Sequence, residues 1–353
     1  MTDAAGSGVA GAAPPRERGW WRVLLATLLV LFLPVTPMLR ILLPVDDTLL
    51  LVAPALAACA LVGWWAGGRL PLAVVWTALT AWVLWQLTAG EGTVAFLACG
   101  WAVMLAASFG ALSIADRREP RRPFLPRALA AMAFAALLAG ATALVVPHGG
   151  PAVRDALRVE VNRRATDALA EFRNQTRSTR WRELAAKQPF ADTLAARMEQ
   201  QLQAAPGHAV TLFPALLALE SLASLALAWA LYHRVGRARL GPPLAPLREF
   251  RFNDQLVWGL IAGLVVAVVP WFAPVDALGA NLIVFFGALY AVRGLGIVLW
   301  FLSPGKLAMA LLIVFAVLFW HVLGALALGL GVGDTWLDWR RRAKARTRTP
   351  GAR

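Results

Sequence analysis

Val210–Tyr232 reads VTLFPALLALESLASLALAWALY, with Glu220 as its single charged residue near the middle, and His233 and Arg234 follow at once. A run this long spans the ~30 Å hydrocarbon core of a bilayer as a helix. No water satisfies backbone groups at that depth, so a helix is the form the segment takes. A soluble core has no room for so continuous an apolar surface.

Working outward, the same pattern recurs in Trp20–Leu43, Thr48–Ala66, Leu70–Thr88, Val94–Ala115, Ala128–Val146, Leu256–Phe272, Leu278–Leu302 and Leu307–Leu330. Hydrophobic residues make up 59% of the 353 and charged residues only 15%, against roughly 25% charge in soluble domains. The runs are continuously apolar and too long for the alternating strands of a membrane barrel. Trp20, Trp21, Trp64, Trp65 and Trp271 stand at their ends, where indole rings prefer the headgroup region. The expected fold is all-α: a polytopic transmembrane helical bundle of eight to nine spans with an amphipathic-helical extramembrane insert.

The expected organisation is a disordered N-terminal tail over 1–19, an N-terminal membrane bundle of five spans over 20–147, the insert over 148–209, a C-terminal membrane bundle over 210–339 and a basic tail over 340–353. The run from Trp20 lacks a clear small-residue cleavage site and reads as an uncleaved anchor. Pro34 and Pro37, followed by Arg40, mark a kink in that first span. Cys59 and Cys99 both lie in apolar runs and read as small core residues.

The formal charge of +14 has a membrane explanation, because most Lys and Arg flank the spans, where they fix orientation and meet anionic lipids. Nucleic acid is not an expected partner. With the N-terminus inside, Arg16, Arg18, Arg22, Arg69, Arg117, Arg118, Arg121, Arg122, Arg127, Arg234, Arg237, Arg239, Arg248, Arg251 and Lys306 are all cytoplasmic, as in a bacterial inner-membrane protein. Nine full crossings would nevertheless export Arg340–Arg342. One late stretch is therefore expected not to cross, and Leu278–Leu302 is the choice because Arg293, Gly294, Leu295 and Gly296 form a charge-and-glycine break at its middle.

In the insert, Val153, Leu157, Val161, Ala165, Leu169 and Phe172 repeat at helical spacing, as do Phe190, Leu194, Met198 and Leu202, giving two amphipathic helices that form a cap on the bundle or on the membrane surface. Asp192 is the expected N-cap of the second.

No HExxH, Walker, nucleophile-elbow or Cys/His pattern is present in the sequence, so no catalytic residue, metal site or cofactor is expected. Ionisable groups at bilayer depth carry the functional interest, since each costs at least ~2.5 kcal/mol and requires a partner. Glu220 and Arg293 lie at similar depths and are the expected ion pair or ligand contacts. Asn281 and His321 join them, either as helix-to-helix hydrogen bonds or as cavity groups. Gly259 with Gly263, and Gly329, Gly331 and Gly333, read as close-packing positions. Asp334, Asp338 and Arg341 at the last membrane exit are candidates for docking a protein partner.

Pro214 opening a span that ends in Tyr232, His233 and Arg234, Asn281 with Phe285 and Phe286, and the closing GVGDTWLDWRRR over Gly331–Arg342 resemble the YybS-like family of uncharacterised bacterial membrane proteins. Trp339 stands where that family more usually has Phe. The resemblance implies a general organisation similar to the substrate-binding membrane subunits of energy-coupling-factor vitamin transporters. It thereby implies a small-molecule binder that works with a separate energising module. Two other readings stand beside it: an envelope assembly factor acting through the insert and the Asp334–Arg342 exit, and an enzyme on a lipid-linked substrate whose phosphate meets Arg173, Arg177, Arg180 and Arg182.

Overall fold

The computed structural model describes residues 20, 23–24, 26–28, 37–45, 48–89, 92–116, 122–146, 148–188 and 190–348. The tail expected over 1–19 and most of the first apolar stretch, Pro34 included, lie outside them. The described chain is helical and has no strand. A short α1 (Pro37–Leu42) precedes four helices, α2 (Leu49–Trp65), α3 (Leu70–Ala89), α4 (Thr93–Ala115) and α5 (Phe124–Val145). The insert holds α6 (Gly149–Thr176) and α7 (Thr179–Lys187), and α8 (Phe190–Val235) leads back into the bundle. The last part comprises α9 (Val257–Val268), α10 (Asp276–Leu302), α11 (Lys306–Leu318), α12 (Trp320–Leu337) and α13 (Trp339–Arg348).

Among the described residues, 5 helices are long and apolar enough to cross a membrane, and Leu49–Trp65, Asp254–Val268 and His321–Leu337 are shorter apolar helices. Their outer surfaces stay apolar: Trp85, Phe96 and Leu137 are 67%, 70% and 71% exposed. In water such surfaces would be aggregation patches, whereas lipid makes them the expected exterior of a polytopic bundle.

The core forms where small residues let helices approach. Ala128, Ala131 and Ala135 are fully buried along one face of α5, a seam of the kind that replaces hydrophobic drive in lipid. Against it, Trp229 of α8 packs edge-on to Phe109 with ring centroids 5.8 Å apart. The Arg127 guanidinium lies 5.1 Å from the Trp229 ring centroid and donates to Asp116 at 3.2 Å and to the Leu240 carbonyl at 3.1 Å. Trp229 itself donates to the Pro242 carbonyl and Tyr232 to that of Ala238. These bonds tie the connection after α8 to the ends of α4, α5 and α8. One end of the bundle is thereby a basic face, and the insert occupies the other.

Helix α8 is one element of 46 residues that passes through Pro206 and Pro214, so the boundary written between 209 and 210 falls inside a continuous helix. Asp192 sits in its first turn instead of capping it. Val161, Ala165, Ala168 and Phe172 of α6 bury against Leu202, Ala205 and Ala209 of α8 and Ile41 of α1. The insert is thus docked as a cap. Phe190, Leu194 and Met198, expected on the buried stripe, are instead exposed at the outer end of α8.

The expected break in Leu278–Leu302 does not occur. Helix α10 is continuous over 27 residues, about 40 Å, and its glycines have another purpose. A Cβ at Gly294 would overlap the Ala327 carbonyl, one at Gly331 the Tyr290 carbonyl, and one at Gly296 the Leu247 carbonyl. The residues read as a helix breaker are where other backbones touch α10. Gly259 and Gly263 likewise receive Phe286 and Leu282 of α10, so that pair is internal.

The topological irregularity lies later. Tyr290 and Gly294 meet Gly331, Arg293 meets Asp334, and Trp300 lines one cavity with Arg340 and Arg341. These positions advance together, so α10 and α12 run parallel and the chain doubles back between them. Helix α11 is the return, only 13 residues long, about 20 Å. It ends at Phe319, whose φ of −115° and ψ of 34° interrupt the helix before α12 begins. What reads as a single stretch, Leu307–Leu330, is a bent pair of helices. The basic tail consequently emerges beside Arg248 and Phe250, whose carbonyls accept from Arg340. The continuous α10 and the start of the basic tail therefore meet on the same face of the bundle.

This topology places single cysteines at Ala277 and Lys306 on opposite sides of the membrane, and those at Lys306 and Arg342 on the same side. Labelling of intact cells with an impermeant maleimide, before and after permeabilisation, checks it. Equal labelling of Ala277 and Lys306 from one side would contradict it.

Candidate functional site

Two polar constellations lie within the helical bundle, one toward each end. Toward the basic face, Arg293 is 3% exposed and Asp334 1%. The Arg293 Nε and Nη2 groups donate to Asp334 Oδ2 at 3.2 and 3.1 Å. Arg340 adds a third bond to the same oxygen at 2.9 Å. The remaining Arg293 terminal nitrogen donates to Asp254 Oδ1 at 2.6 Å, and Phe252 lies under the guanidinium with its centroid 5.4 Å away. One carboxylate thus joins α10, α12 and α13. Asp338, at φ 42°, makes the left-handed turn that Asp tolerates better than most residues, and its side chain pairs with Arg251.

The expected partnership between Glu220 and Arg293 does not form: similar depth does not bring them to the same neighbour. Glu220 Oε2 instead accepts from the Val45 backbone N–H at 3.2 Å. Asp334, expected at a docking surface, is inside the helix pair and inaccessible to a partner. Arg341 remains 82% exposed, and Asp338 32%, at the side chain. His321 is exposed in the first turn of α12, at the end opposite Asp334.

Asn281 has a definite task. Its Oδ1 accepts from the Ala215 N–H at 2.8 Å and its Nδ2 donates to the Thr211 carbonyl at 2.7 Å. Those two groups are the donor and acceptor of the helical turn that Pro214 disturbs, since a proline ring pushes away the preceding turn. One carboxamide from α10 bridges both. Asn281 thus makes hydrogen bonds from one helix to another.

Toward the insert face, the chain is irregular over Leu43, Pro44 and Val45, between α1 and α2. Backbone groups freed there are taken up by side chains: Glu220 on the Val45 N–H, and Arg164 Nη1 on the Leu43 carbonyl at 2.9 Å. Arg164 also donates through Nε to Glu160 at 2.9 Å, while Arg163 binds Glu160 at 2.6 Å and Asp167 at 3.3 Å. Beside this break is a cavity of about 570 Å³, lined by Val45, Leu87 and Ala98 below and by Ala156, Arg163 and Arg164 of α6 above. Sequence reasoning passed over Arg164, although it shares the buried face of Val161, Ala165 and Ala168. A charge within an apolar helical stripe was the available signal. Arg340 offered none, being one of three consecutive arginines.

The hydrogen bond from Arg163, followed by the burial that opposes it and the contacts of Arg164, holds the Glu160 carboxyl down at about 2. A depressed carboxylate contributes stability above its unfolded value, roughly 4.3, and the contribution is lost as pH falls through the folded value. Thermal melts of the purified protein are therefore expected to show a loss between about pH 5 and pH 2 that Glu160→Gln removes. An identical acid profile in the variant would contradict this.

Residues 168–335 match a family described as Predicted membrane protein (DUF2232). The match takes in Glu220, Asn281, Arg293 and Asp334, and leaves outside it the first spans and Arg340. This similarity is to an uncharacterised membrane protein family. No curated protein and no solved structure matches the chain.

Proposed function

We propose that the protein is a membrane-embedded binding subunit whose ligand is a small anionic amphiphile held beneath α6. The cavity carries this reading. Its volume of about 570 Å³ suits a small-molecule site, which is typically a mostly apolar cleft with a few fixed polar groups. Apolar walls receive a hydrocarbon portion, and Arg163 at the rim, 59% exposed at its side chain and paired with Glu160 and Asp167, takes a carboxylate or phosphate in exchange for the exposed Asp167. Glu220 and Arg164 are positioning residues that keep the Leu43–Val45 break open beside the cavity.

The basic face is cytoplasmic on the positive-inside rule, which puts the insert and cavity on the outer side of an inner membrane with the N-terminus inside. Likeness to energy-coupling-factor binding subunits fits this arrangement: ligand enters from outside, and an energising module meets the basic face. A second reading, an envelope assembly factor, draws on Phe190, Leu194 and Met198, exposed by 63%, 48% and 42% at the end of the insert.

Delipidated full-length protein in detergent, screened by thermal shift against fatty acids, isoprenoid phosphates and amphiphilic vitamins, is expected to be stabilised by one class. A ligand at 100-fold its Kd contributes about 2.7 kcal/mol. Ala156→Trp, which fills the cavity from α6, is expected to abolish that shift while the unliganded melting temperature changes little. A full shift in the variant, or none in the wild type across the panel, would exclude the cavity as the site.

A further inference from the structure

On the basic face, away from the insert, a second cavity of about 230 Å³ is lined by Arg248, Glu249, Arg251, Trp300, Arg340 and Arg341. Four guanidinium groups around one carboxylate leave a strong cationic excess in a small space. Internal pairing absorbs part of it. Arg251 is engaged by Asp338, Arg340 by Asp334, and Arg341 approaches Asp338 at 3.6 Å. Arg248 and Glu249 are 3.7 Å apart, beyond good hydrogen-bond length.

Arg340 supplies an independent sign that the pairing is incomplete. Its side chain is 5% exposed, its Nη groups reach Asp334 and the Arg248 and Phe250 carbonyls, yet its Nε is buried without a hydrogen-bond partner among the described residues. A buried guanidinium donor left unmade is costly, so the charge at the base of the cavity is incompletely satisfied by the protein. The placement sets the level at which an anion arrives. Trp300 lies near the end of the long helix α10, and Trp336 is 62% exposed near the end of α12, so the cavity sits at the level where indoles mark lipid headgroups.

We infer that this cavity binds a phosphate group, presented at the basic face by an anionic lipid headgroup or by a soluble phosphate compound. Arg248 and Arg341 donate from the rim, and Arg340 from the base. The buried Arg293–Asp334–Arg340 network holds the base rigid, so the site is preorganised by the same bonds that join the helices. It is separate from the cavity under α6 and does not depend on that proposal.

The test uses delipidated full-length protein in neutral detergent, titrated calorimetrically with short-chain phosphatidic acid, short-chain phosphatidylglycerol and inorganic pyrophosphate. Wild type is expected to bind, and the double variant Arg248→Gln/Arg341→Gln to bind about tenfold more weakly or worse, as loss of charge-assisted hydrogen bonds requires. Both side chains are largely exposed, so folding is preserved. Arg237→Gln/Arg239→Gln removes the same charge from the same face outside the cavity and is expected to leave affinity unchanged. Binding by lipids alone assigns the site to headgroups, and equal competition by pyrophosphate assigns it to soluble phosphates. Undiminished binding in the first double variant, or an equal loss in both, would overturn the inference.

Discussion

A charge or backbone group held at membrane depth must find its partner inside the protein, and the buried bond between Arg293 and Asp334 meets that constraint for the C-terminal half. The pair joins two parallel helices. Parallel neighbours need a return between them, and the short α11 supplies it. From that return follow the emergence of the C-terminal tail on the basic face and the seating of Arg340 against the Arg248 and Phe250 carbonyls. An unpaired guanidinium among these helices would be intolerable, so this register of α10 against α12 is strongly specified. Gly294 and Gly331 allow the approach that brings the two side chains together.

The same constraint governs the places where helices are interrupted. Pro214 disturbs a turn of α8, and the Asn281 carboxamide bridges it. The chain breaks over Leu43–Val45, and Glu220 and Arg164 take up the freed groups. Polar residues in this bundle thus fall largely into one physical class: each supplies what an irregular backbone or an isolated charge lacks. A cavity remains beside the break, where the backbone is irregular and the insert does not fill the space.

Much of the architecture was legible because run length and charge spacing are properties of the sequence itself. Apolar stretches marked the helices, the repeat of Val161, Ala165 and Phe172 marked the docked side of the insert, and Arg293 stood out as a charge at depth. Its partner was not legible. Depth along a helix follows from sequence position, but the direction a residue faces and the helix it meets do not, so Glu220 and Arg293 appeared equivalent to a pair. Asp334 reads as a membrane-exit residue because the apolar run stops at Leu330, whereas α12 continues to Leu337. The glycines beside Arg293 can signal either a broken helix or a close contact, and only the neighbouring backbones of Ala327 and Leu247 distinguish the two.

Arg293 and Asp334 stabilise the fold as a pair and not as separate polar contacts. A double-mutant cycle with Arg293→Met and Asp334→Leu, followed by reversible unfolding in mixed micelles, tests it most directly. Asp334→Leu, which strands Arg293 and Arg340 together, is expected to lose about 3–5 kcal/mol, Arg293→Met less because Arg340 still holds the carboxylate, and the double variant clearly less than the sum of the two. Single losses below about 0.5 kcal/mol, or a double variant whose loss equals their sum, would contradict the account.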